Sequence, residues 1–142
     1  QIWRYTRRRD TFDGAQNYAV NVDLKNGVSM AIDGNVYILS NDGYITKLFS
    51  GAKEDFPIKK QPVKAMTNPT KIYTQLDMQQ IYVLDPNNNR VMVFLKDDQT
   101  GGAVYSSQYV FDDLTGLRDV VVDKDTNTMY VLTGTAVYRV VL

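Results

Sequence analysis

The stretch Ile81-Tyr82-Val83-Leu84-Asp85-Pro86-Asn87-Asn88-Asn89-Arg90-Val91-Met92-Val93-Phe94 decides the fold. Two short runs rich in Val, Ile, Tyr and Phe flank a Pro-Asn-Asn-Asn reversal. β-Branched and aromatic side chains suit a pleated, half-buried surface, while Pro and Asn suit a tight turn. The segment therefore reads as an antiparallel hairpin.

Its first word occurs three times. Val36-Tyr37-Ile38-Leu39, Ile81-Tyr82-Val83-Leu84 and Met129-Tyr130-Val131-Leu132 share the pattern apolar, Tyr, β-branched, Leu, with tyrosines 45 and 48 residues apart. Before each comes a run ending in Asp: Met30 to Asp33, Tyr73 to Asp77, and Val120 to Asp123. After each comes a polar turn and a further strand-like run: Tyr44 to Phe49, Arg90 to Phe94, and Ala136 to Val140. A period of about 45 residues holding several hairpin-linked strands is the size of one propeller blade. With strands lettered a to d from the inside outward, these runs are a, b and c. Val104 to Phe111 supplies strand d of the middle repeat, and Phe56-Pro57-Ile58-Lys59 is the expected strand d of the one before. Pro57 is tolerable there because an outermost strand has a free edge. No window holds a helical apolar period with caps at both ends, so almost no helix is expected.

The same reading divides the chain. Residues 1–24 carry strands c and d of an incomplete blade, Ile2 to Arg7 and Asn17 to Val22. Residues 25–62 and 63–114 are complete blades, and residues 115–142 form a blade lacking its outer strand. The expected fold is all-β: about three four-stranded blades belonging to a six-bladed ring. A chain that starts at Gln1, inside a blade, and stops after a third strand is expected to be the C-terminal half of a larger propeller.

The segment from Ile81 to Phe94 resembles the core word of NHL-type repeats, in which an apolar-Tyr-Val-x-Asp strand, an Asn-rich turn and an Arg-Val-x-x-Phe strand follow one another; Asn68-Pro69 ahead of strand a fits as well. The first blade departs from that pattern through its shorter Asn41-Asp42-Gly43 turn and Lys47 at an otherwise apolar position. The third, with Thr133-Gly134-Thr135, lacks both the Asp and the Arg. The runs Val28 to Leu39 and Asn41 to Leu48 also resemble the C-terminal propeller of uncharacterised bacterial membrane-associated proteins. The first resemblance implies an interaction platform, with lyases and hydrolases as a minority. The second implies the extracytoplasmic face of a bacterial membrane protein, with the membrane reached through an upstream segment.

Composition narrows the chemistry. The 142 residues carry 16 Lys+Arg against 16 Asp+Glu, with neither cysteine nor histidine. Balanced charge lacks the electrostatic footprint of a dedicated nucleic-acid binder. Without cysteine the chain has no disulfide framework, Cys-ligated zinc or thiol nucleophile; without histidine it has no Ser-His-Asp triad or imidazole metal ligand. No run of 18 apolar residues is present, the length a membrane-spanning helix requires. Neither a cofactor nor a metal is expected.

Each remaining motif has a functional and a structural reading. Asp123-Lys124-Asp125-Thr126-Asn127 has the D-x-D-x-N spacing of a calcium loop, yet the downstream Gly and Glu are missing and a self-bonded turn is the favoured reading. Arg90 after Asp85 is expected to lock the b–c turn through a salt bridge. Arg4, Arg7, Arg8 and Arg9 form the one charge cluster, on an alternating strand with Trp3 and Tyr5. Tyr37, Tyr82 and Tyr130 are expected to pack between blades, leaving Tyr18, Tyr105 and Tyr109 as candidate contact residues. The ligand-binding residues proposed by analogy with propeller loops are Asn68, Lys71, Asp85, Arg118 and Asp119.

The function expected is a non-catalytic protein- or small-molecule-binding or sensor domain. One alternative is part of a lyase or hydrolase whose catalytic residues lie in other blades. Another is a half-propeller that forms a homodimer through its open blade faces.

Overall fold

The computed structural model describes residues 1–142. It contains sixteen short strands and a single 3-10 turn, Pro86–Asn88. The first blade is a four-stranded sheet of β5 (Gly27–Ile32), β6 (Val36–Ser40), β7 (Ile45–Phe49) and β8 (Ala52–Glu54). In the second, β10 (Lys71–Tyr73), β11 (Gln80–Asp85), β12 (Arg90–Asp97) and β13 (Gly102–Val110) follow in order. The third holds β14 (Asp119–Asp123), β15 (Thr128–Leu132) and β16 (Val137–Val141). Every neighbouring pair among these eleven strands is antiparallel and joined by a short connection.

The period of two along strand b explains how the sheets stack, since successive side chains leave opposite faces. Tyr37 and Leu39 of β6 meet Ile72, Ile81, Val83, Met92 and Phe94 in one core between the first and second blades. Tyr82 and Leu84 of β11 point the other way and meet Val120, Val122, Met129 and Val131 in a second core. Each blade thus has a head face, packed on its predecessor, and a tail face, packed on its successor. Tyr37 and Tyr82 are 2% and 5% exposed, as expected of inter-blade residues, whereas Tyr130, on the tail face of the third blade, is 39% exposed.

The amino-terminal segment departs from its expected strands. β1 (Trp3–Arg4) pairs with β4 (Gln16–Asn17), and β2 (Arg7–Arg8) pairs with β3 (Thr11–Phe12), forming one hairpin that turns at Arg9-Asp10. The return strand ends at Asn17 rather than running to Val22, and Asn21 takes a left-handed φ of 56°. Ile2, Tyr18, Val22 and Leu24 then cover Val36, Ile38 and Leu48 on the head of the first blade. The hairpin itself projects into solvent, so Trp3 and Tyr5 are exposed together with the arginines.

Two further strands differ from the expected ones. Strand d of the first blade is β8, not Phe56 to Lys59. Ser50 and Gly51 both adopt positive φ, 49° and 86°, and turn the chain back at once, as two-residue hairpin loops do. The segment expected as strand d instead crosses to the next sheet. There β9 (Ile58–Lys59) pairs parallel with β13 and makes the second blade five-stranded. The Pro57 carbonyl accepts the Ala103 N–H at 2.9 Å, and a Cβ on Gly102 would come within 2.1 Å of that carbonyl oxygen. Strand a of the second blade is Lys71–Tyr73 rather than Tyr73 to Asp77; Thr74 to Gln79 form the turn, with Asp77 at φ 60°.

The hairpin of the second blade is held by a buried ion pair. Arg90 Nε donates to Asp85 Oδ2 at 2.9 Å, and the two side chains are 3% and 0% exposed. The same guanidinium donates to the Lys64 and Ala65 carbonyls and to Gln108 Oε1. Asn88 Nδ2 and the Thr67 N–H donate to the carboxylate. This network ties the b–c turn to the connection before strand a and to strand d. Removing one partner of such a pair leaves the other charged, buried and unpaired, which typically costs about 3–5 kcal/mol. Asp85→Ala is therefore expected to lower unfolding free energy by about that amount in urea titration. A loss below about 1 kcal/mol would contradict the lock.

Candidate functional site

Strand alternation sends the d–a connections and b–c turns to one end of the blades, and the a–b and c–d turns to the other. Four of the five sequence-proposed residues gather at the first end. Lys71 and Asp119 start the innermost strands of adjacent blades, and their Nζ and Oδ1 atoms form a salt bridge of 3.1 Å. Arg118 is exposed beside them and lies over Gly134 of the third b–c turn, where a Cβ would meet its Nη2 at 3.3 Å. Asn68 is exposed with φ 51° in the connection leading to β10. Asp85 does not join this rim. It is fully buried and its carboxylate is taken up by Arg90, Asn88 and Thr67, so a ligand-contacting role is corrected to a structural one.

The same end carries an apolar groove that sequence reasoning missed. A cavity of about 490 Å³ lies between the first b–c turn and the chain crossing to the second blade. Tyr44, Ile45, Phe56, Pro57, Ile58 and Met66 line it. Tyr44 follows the Asn41-Asp42-Gly43 turn and is 74% exposed. Asp42 Oδ1 accepts the Tyr44 N–H, and Gly43, at φ 89°, leaves its α-carbon against the Met66 side chain. An aromatic residue directly after a tight turn was the available signal for Tyr44. Phe56 and Met66 have no such signal, because they reach the groove through the unexpected crossing of residues 56–66.

The opposite end holds a polar cleft of about 470 Å³ between the first two blades, with Asp33, Tyr37, Lys47, Asp77, Lys96 and Asp97 in its wall. Lys96 of β12 reaches back to pair with Asp33 and donates to Thr74 Oγ1 and the Met78 carbonyl. Its ammonium lies 5.9 Å from the centre of the Tyr37 ring. The Tyr37 hydroxyl donates to Asp33 Oδ2 at 3.2 Å, and Asn35 donates to Oδ1. Burial opposes ionisation of Asp33, but hydrogen bonds from Lys96 and Asn35 outweigh it and hold the carboxyl below its usual range. Burial, with the Asp33 charge beside it, pushes the Tyr37 phenol up. Tyr37 is accordingly a neutral donor and Lys96 a paired cation, an arrangement that fastens two blades.

The other motifs fall into place. Asp123 Oδ1 accepts the Asp125 and Thr126 N–H groups and Oδ2 accepts the Thr126 hydroxyl, so Asp123-Lys124-Asp125-Thr126-Asn127 is a self-bonded turn. Asn127, at φ 48°, donates to the Leu142 carbonyl. Arg8 pairs with Asp13 across its hairpin, and Arg4 donates to Gln16. Tyr105 packs edge-to-face on Phe94, and Tyr18 and Tyr109 pack against the cores, each of the three staying half-buried.

No protein-family model and no curated protein sequence matches the chain. Among solved structures it is similar to a chain of a crystal structure of a nidogen/laminin complex, with a TM-score of 0.58 and 19% identity. The match covers 87% of this chain and 46% of that one, so the protein spans less than half of its structural neighbour's length. The fold is thereby established: an all-β segment of a β-propeller.

The Asp33–Lys96 pair gives a signed pH prediction. A carboxyl with a lowered folded-state pKa contributes stability above its unfolded value, near 3.9, and loses it as pH falls through the folded value. Stability is expected to decline below about pH 4. In Lys96→Met, burial without the cation raises the Asp33 pKa, so the acid decline should shrink or reverse. Identical pH slopes for the two proteins, measured by urea unfolding, would contradict the pairing.

Proposed function

We propose that the chain is a non-catalytic protein-binding segment of a propeller. Its groove beside Tyr44 takes an apolar side chain of an extended partner segment. The observation carrying this reading is the groove itself: six apolar side chains around about 490 Å³, open to solvent, with one aromatic ring 74% exposed at its edge. Exposed aromatics beside a preformed hollow are the usual anchors of protein recognition, since a ring contributes large contact area at low entropic cost. One wall is the first b–c turn and the other is the crossing segment, whose Phe56, Ile58 and Met66 pack against the core between the first two blades, which supports the groove's shape. The rim formed by Asn68, Lys71, Arg118 and Asp119, at the same end, supplies polar groups suited to fixing a partner's orientation. The protein–protein complex in which the structural neighbour was determined is compatible with this reading.

The test is selection of random linear peptides on the immobilised full chain, followed by affinity measurement on variants. Selected peptides are expected to share an aromatic or aliphatic anchor. They should lose more than about tenfold in affinity for Tyr44→Ala, a typical anchor-residue effect of at least 1.4 kcal/mol. Binders indifferent to Tyr44→Ala, or no enrichment at all, would overturn the assignment. Far-UV circular dichroism confirms that the variant folds.

A further inference from the structure

The groove beside Tyr44 adjoins a sheet edge that is left incomplete. β7 starts at Ile45, but β8 pairs only with Lys47, Leu48 and Phe49. Ile45 and Thr46 therefore have no strand on their outer side. The cause is the path of the chain, which leaves this sheet after Glu54 and crosses to β9 on the second blade.

Alternation along the strand fixes which main-chain groups are left open. The Ser40 N–H donates to the Tyr44 carbonyl at 2.8 Å, so the main chain of Tyr44 bonds toward β6. In an antiparallel ladder the next residue bonds the other way, so the Ile45 N–H and C=O point outward. Continuing β8 to Phe56 would bring that residue opposite Ile45, since Lys47 pairs with Glu54. Phe56 makes no main-chain hydrogen bond to Ile45. A residue only 7% exposed thus keeps a donor and an acceptor aimed away from its own sheet. Main-chain groups so buried are nearly always paired, because an unpaired one costs about 1–3 kcal/mol. They face a hollow of about 470 Å³ bounded by Thr46, Lys53, Asp55 and Pro57. Tyr44, Ile45, Phe56 and Pro57 line this hollow and the apolar groove alike. The site is built entirely from residues between Asp42 and Met66, inside the first blade and its crossing to the second.

We propose, resting on the groove reading above, that the partner is a polypeptide in β-conformation that adds a short strand to β7. Its main chain lies in the hollow, bonded to the Ile45 N–H and C=O, while one of its apolar side chains fills the groove. Such a strand continues the β7–β8 ladder from the point where β8 leaves it. The second blade already accepts an addition of this kind within the chain. There Ile58–Lys59 join the outer edge of β13, and the Pro57 carbonyl takes the Ala103 N–H at 2.9 Å. An amphipathic helix has the apolar side chains for the groove, but its main-chain groups are spent on its own turns, so it leaves Ile45 unanswered. A small apolar molecule fails in the same way.

The test takes the tightest peptide selected on the full chain and methylates its backbone nitrogens one at a time. One position is expected to lose about tenfold or more in affinity, because its hydrogen bond to the Ile45 carbonyl is gone. The positions on either side, whose N–H groups face away from β7, should change less than about threefold. Hydrogen exchange on the wild-type chain should show the Ile45 amide slowing by more than about tenfold when the unmethylated peptide binds. Peptides that depend on Tyr44 but lose affinity at no single position, or leave exchange at Ile45 unchanged, overturn strand addition while the groove reading stands. Peptides indifferent to Tyr44→Ala, or none selected at all, overturn the groove reading and strand addition together.

Discussion

A blade that is apolar on both faces is stable in water only where another blade covers it. That constraint organises this protein. Strand b places successive side chains on opposite faces, so Tyr37 and Leu39 must be buried by one neighbour and Val36 and Ile38 by another. Fully burying one such side chain contributes roughly 1.5–3 kcal/mol. The two inter-blade cores, each of ten buried residues, therefore supply the main apolar stabilisation of the arc.

Polar locks sit where the cores end. Asp85 and Arg90 close the middle blade at the end carrying the groove, and Asp33 and Lys96 join two blades at the other. Both pairs are fully hydrogen-bonded, which is the condition for holding charge inside a protein. Arg90 also donates to the Lys64 and Ala65 carbonyls, next to Met66, and so ties one wall of the groove beside Tyr44 to the second blade. Structural and recognition roles are thus divided: charges drawn inward hold blades together, while side chains left on turns and rims face outward.

Much of the architecture was legible in the chain, and particular residues show why. The recurring Tyr at positions 37, 82 and 130, and the Asn-rich reversal after Asp85, act within a few residues, so pattern and turn chemistry suffice to read them. The outer strand of the first blade was not legible. Its position depends on Ser50 adopting a positive φ, unusual for a non-glycine residue, and on residues 58–59 preferring a neighbouring sheet to their own. The site residues divide in the same way. Arg118 and Asp119 adjoin Lys71 because the start of every inner strand returns to one rim. Asp85 left that set because Arg90, Asn88 and Thr67 converge on it from separate segments.

Local order along the chain settled the all-β class, the repeat, the b–c hairpins and the alternation of faces, since each depends on neighbours a few residues apart. Burial was settled by the stacking of blades. Tyr82 and Tyr130 occupy the same place in the same word, yet one is in a core and the other is 39% exposed, because burial is set by the neighbouring blade and not by the word itself. The groove belongs with burial, for it exists where a crossing segment meets a turn about twenty residues away in sequence.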